Sequence, residues 1–110
     1  MNWAVLFFYL LVAHFVCDFS LQGETTAKEK SPFSTSALQK IIPWPWWLTA
    51  HAFMHAGAVM LVTQHLGLAL IELFAHWLID YGKVLGKYSF LADQFLHLTC
   101  KYIYIVVLFT

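Results

Sequence analysis

Four long apolar stretches divide the chain, and each is broken by ionisable residues spaced four apart. The first, about 3–22, is apolar except for His14, Asp18 and Gln22. The second, about 46–64, carries His51 and His55; the third, about 67–83, carries His76 and Asp80; the fourth, about 89–110, carries Asp93 and His97. A spacing of four is close to one helical turn, so each pair shares one face of a helix. Segments of this length suffice to span a bilayer with modest tilt. The pattern predicts an all-α membrane protein, a four-transmembrane-helix antiparallel bundle forming one domain over 1–110. The stretch 23–43 is polar, holds Lys28, Lys30 and Lys40, and reads as a loop with an amphipathic turn near Ser36–Ile42. Pro43 and Pro45 bracket Trp44 ahead of Trp46 and Trp47, which reads as an interfacial aromatic belt opening the second helix. Gln64, His65 and Gly67 make a tight turn, with His65 solvated; Gly57 and Ala58 allow close helix contact.

Composition agrees with a bilayer as solvent. Hydrophobic residues make up 61% of the 110 and charged residues 11%, against about 25% charged in soluble domains. A soluble chain this short could not bury so much apolar surface. The first segment has no Lys or Arg at its start and no small-residue cleavage site, and reads as a retained helix rather than a signal. Net charge is zero and nothing points to a nucleic-acid surface. Lys28, Lys30 and Lys40 in the first connection, with Lys83 and Lys87 in the third, put those connections on the cytoplasmic side and both termini outside. Cys17 and Cys100 read as buried free thiols, since neither belongs to a C-x-x-C pair.

Counting from the cytoplasmic ends at about 1.5 Å per residue, Asp18, Asp80 and Asp93 lie at roughly 5 Å depth. His14, His51, His76 and His97 follow at roughly 9–12 Å, then His55, Glu72 and Lys101 at roughly 15–17 Å. All fall in one half of the membrane. Ionisable groups are costly there, so their alignment points to a site. The layering predicts an ion pair between Glu72 and Lys101 at its floor. His14, Asp18, His51, His55, His76, Asp80, Asp93 and His97 form a ligand set suited to Zn, Mn or Fe, enough for one ion or two.

The runs AHFVCDFSLQ (13–22), HAFMH (51–55), HWLIDYGK (76–83) and DQFLH (93–97) resemble, in this order, the membrane family catalogued as domain of unknown function 3307. The resemblance implies a bacterial or phage origin, hence the bacterial inner membrane, and family positions at the eight ligands above and at Gln22, Lys83 and Gln94. It implies no activity.

Three functions compete. In a membrane metal hydrolase, Asp18 or Asp93 would be the general base and Lys83 would hold the phosphate of a lipid or isoprenoid substrate. A proton or metal-ion transporter needs a similar His/Asp chain, but residues 3–13, 56–63 and 102–110 leave the outer half nearly all apolar. In an oligomeric structural or regulatory protein, the cluster would only lock helices together. The partners expected are membrane lipids, a lipid-like substrate and further copies of the chain. A bis-His haem site or a diiron oxygenase fits less well: carboxylates crowd the site, and H-x-x-x-H occurs once.

Overall fold

A computed structural model describes residues 1–110. Five α-helices form: α1 (Trp3–Phe15), α2 (Gly23–Glu29), α3 (Trp44–Thr63), α4 (Leu66–Val84) and α5 (Phe90–Phe109). A π-helical turn, Val16–Ser20, continues α1, and a 3-10 turn, Ala37–Lys40, follows α2. The four long helices close a ring in which α1 and α4 each pack against both α3 and α5.

Local chemistry sets the helix ends. Asn2 caps α1, its side chain accepting from the Val5 amide, and Ser89 caps α5 by accepting from Ala92; short polar side chains satisfy otherwise orphaned amides in this way. Pro43 precedes α3 and Pro45 lies in its first turn, where a missing N–H costs nothing. The α3–α4 turn is as tight as expected: Gln64 adopts a left-handed conformation (φ 55°) and His65 caps α4 through Nδ1, 3.2 Å from the Leu68 amide. In the π turn the Leu21 amide bonds to the Val16 carbonyl at 2.8 Å, five residues back. Cys17 and Asp18, which lie in this turn, are both buried.

The interior divides by polarity. At one end Leu6, Leu10, Val59, Leu68, Tyr104 and Ile105 form an apolar core. The other half is polar, and thirteen of the 24 buried residues are polar or charged. Large apolar side chains face outward on every long helix, among them Phe8, Phe53, Phe74 and Phe95.

Three expectations change. Two helical stretches, Trp3–Ser20 and Phe90–Phe109, are long and apolar enough to cross a membrane; four were expected. Helices α3 and α4 are as long but fall short in apolarity, because α3 carries His51 and His55 and α4 carries Glu72, His76, Asp80 and Lys83. Close helix contact at Gly57 does not form, since a Cβ there would meet open space. The tryptophans also divide: Trp46 is exposed, whereas Trp44 stacks on Tyr81 and Trp77 bonds to Thr49 Oγ1 at 3.1 Å.

The 23–43 stretch is more ordered than a loop. Its 3-10 turn falls inside the expected amphipathic turn, and Glu29 is buried beneath it. The Glu29 carboxylate accepts from Gln39 Nε2 at 2.9 Å and Ser34 Oγ at 2.7 Å. These bonds hold its pKa below the ordinary glutamate value. A depressed folded-state pKa gives stability that is present above the unfolded value, about 4.3, and is lost as pH falls through the folded value. Amide exchange across residues 29–39, corrected for intrinsic rate, is therefore expected to stay slow at neutral pH and to quicken in strong acid. Glu29→Gln should reproduce the loosening at neutral pH. Equal protection of both proteins at neutral pH would show that the carboxylate contributes nothing.

Candidate metal centre

Asp18 is the hub. The π turn aims its carboxylate inward, with Oδ1 3.2 Å from His51 Nε2 and 3.3 Å from His55 Nε2. Helix α3 presents those two imidazoles one turn apart on its inner face, and α4 adds His76. The rings of His55 and His76 stack at 3.7 Å between centroids, and His76 stacks on His97 at 4.1 Å. One ligand atom from each of Asp18, His51, His55 and His76 lies within 4.8 Å of the others, and all four residues are buried.

The spacing suits a small divalent ion. Bonds of about 2.0–2.1 Å put tetrahedral ligand atoms roughly 3.3–3.4 Å apart, close to the two separations at Asp18 Oδ1. Hydrogen bonding is correspondingly incomplete. His55 Nε2, both ring nitrogens of His76, and Nδ1 of His14, His51 and His97 are buried without a hydrogen-bond partner, as is Asp93 Oδ1. Buried polar atoms are almost always paired, so this cluster of seven unpaired atoms is one that could hold a metal ion.

The family profile described as protein of unknown function DUF3307 matches residues 6–110. This chain belongs to the DUF3307 family. Neither a curated protein nor a solved structure matches it.

The other four expected ligands of this DUF3307 protein stand around the group. His14 Nε2 donates to Gln94 Oε1 at 3.0 Å and lies 3.7 Å from Asp18 Oδ2. Asp93 Oδ1 is 3.3 Å from His97 Nε2. Asp80 lies 3.8 Å from His51 Nε2, but its Oδ2 accepts from Lys30 Nζ at 2.7 Å. Lys83 sits partly exposed at the rim, 3.9 Å from Asp80 Oδ1. At the floor, the expected Glu72–Lys101 ion pair forms, and Tyr104 donates to Glu72 Oε2 at 2.8 Å. Both cysteines are free; Cys17 is buried and Cys100 half-buried, and neither joins the ligand group.

Three features of the DUF3307 site were not anticipated. Lys30, read as a loop charge, is buried and bonded to Gln22 and Asp80. Gln94, marked only as a family position, joins Asp18, Asp93 and His14. His55 belongs to the ligand level rather than to the deeper Glu72–Lys101 layer, since it shares Asp18 Oδ1 with His51. The H-x-x-x-H spacing would have supported that last placement, because residues one turn apart can reach a common atom.

Charge pairing bears on what the site could hold. Lysine neutralises Glu72 and Asp80, but no lysine or other fixed cation reaches Asp18 or Asp93. Two buried carboxylates without a lysine partner are costly unless compensated. One divalent cation offsets both.

Proposed function

We propose that this is an integral membrane protein whose buried centre holds a divalent transition metal on Asp18, His51, His55 and His76, and that it hydrolyses a lipid or isoprenoid phosphate. The carrying observation is Asp18 Oδ1, at which two imidazole nitrogens converge at metal-ligand spacing. A polar interior under an apolar exterior supports the bilayer, with α1, α3, α4 and α5 as four spans and the lysine-bearing connections on the cytoplasmic side. The apolar core at the far end argues against a path through the bundle.

A metal there would supply the Lewis acid for phosphoryl hydrolysis. Asp93, beside the ligands and free of any lysine, takes a proton from the attacking water, and His97 at 3.3 Å shares it. Lys83, partly exposed at the rim, holds the substrate phosphate.

Detergent-purified protein is expected to carry one equivalent of Zn, Mn or Fe per chain. It should release phosphate from a polyprenyl or phospholipid phosphate and lose that activity on chelation. Protein that neither retains these metals nor takes them up on reconstitution would overturn the centre. Metal-loaded protein inert on such phosphates would overturn the hydrolase.

A further inference from the structure

The metal reading leaves open why eight possible ligands should take one ion rather than two. Gln94 answers this. It lies on α5, next to Asp93 and almost fully buried. Its amide nitrogen donates to Asp18 Oδ2 at 2.8 Å and to Asp93 Oδ2 at 3.2 Å, and its carbonyl accepts from His14 Nε2 at 3.0 Å. A primary amide has two N–H donors and one carbonyl, and all are engaged here. The orientation is dictated, since the reverse would turn the carbonyl oxygen onto two carboxylates.

Three consequences follow for the centre. Asp18 Oδ2 is occupied, which leaves Oδ1 alone to face His51 and His55. His14 carries its proton on Nε2, so the nitrogen nearest Asp18 has no lone pair for a metal. Asp18 and Asp93, the two carboxylates without a lysine, are bridged by a neutral group, so one doubly charged ion compensates both.

We infer that Gln94 is a positioning residue that fixes this centre at one divalent ion, with Asp18 a ligand through one oxygen and His14 outside the ligand set. The inference rests on the proposed metal centre.

The test titrates Co²⁺ into metal-stripped full-length protein, recording stoichiometry, affinity and the visible absorption of the bound ion, with helical content checked by circular dichroism. Wild type is expected to bind one equivalent. Gln94→Ala should still bind one, about 10–100-fold more weakly, as when other partners of metal ligands are removed. Its absorption should change, because Asp18 is freed to bind through both oxygens. His14→Ala should keep one equivalent and the wild-type spectrum. Should Gln94→Ala fail to fold, the wild-type stoichiometry and His14→Ala decide. Two equivalents in wild type, loss of the ion in His14→Ala, or wild-type affinity and spectrum in Gln94→Ala would each overturn the role of Gln94. No binding by wild type would instead overturn the metal centre itself.

Discussion

Asp18→Asn is expected to weaken divalent-metal affinity by at least about 100-fold, the upper end of what removing a ligand's supporting partner costs. Asparagine keeps the shape but removes the charge at the oxygen where His51 and His55 converge. Stability should move in opposite directions with and without metal. In the metal-stripped protein the substitution removes a buried charge that no lysine pairs, so the thermal midpoint should rise. In the metal-loaded protein it forfeits most of the binding contribution, which is about 2.7 kcal/mol when free metal is a hundredfold above the wild-type Kd. The control is His65→Asn, which alters an exposed histidine far from the ligands and retains a capping side chain. Calorimetry of both variants with and without Zn²⁺ is the measurement. A shift of the same sign in both states would mean that Asp18 is a packing residue.

The second large effect concerns the floor. Lys101→Met should destabilise the protein by about 3–5 kcal/mol, because it leaves Glu72 buried without its cation, facing the Tyr104 hydroxyl and, at 3.6 Å, His76 Nδ1. Combining it with Glu72→Gln should recover most of that loss: the second change removes the stranded charge and keeps an acceptor for Tyr104. Denaturation in detergent micelles measures both. If the double variant were no more stable than Lys101→Met, the cost would come from lost lysine packing.

The two regions differ in how far the sequence announces them. The pairs His14/Asp18, His51/His55, His76/Asp80 and Asp93/His97 recur at helical spacing within apolar runs, so periodicity alone places them on inward faces. Counting depth along antiparallel helices was enough to match Glu72 with Lys101. Lys30 was illegible because its burial arises from the path of the 23–43 segment across the bundle end, and a lysine in a polar stretch reads as solvated whatever it later touches. Gln94 was legible only through the family resemblance: an amide has no charge to attract notice, and its importance comes from His14 and Asp18 on the first helix and from its own neighbour, Asp93. The departure from α-geometry at 16–20 has no compositional signature either. Apolarity summed along α3 and α4 reads low, because residues facing inward and outward are averaged together.

The π turn at Val16–Ser20 also makes this helix a device for setting angular phase. Upstream, Leu6 and Leu10 must meet the apolar core; downstream, Asp18 must meet α3. One additional residue within the winding lets both alignments hold in a single continuous helix. Deleting Val16 or Cys17 would rewind the turn as an ordinary α-helix and rotate Asp18 against the upstream part by about 100°. The chain would keep its apolar content and nearly its whole length, yet its carboxylate hub would point away from the imidazoles it serves.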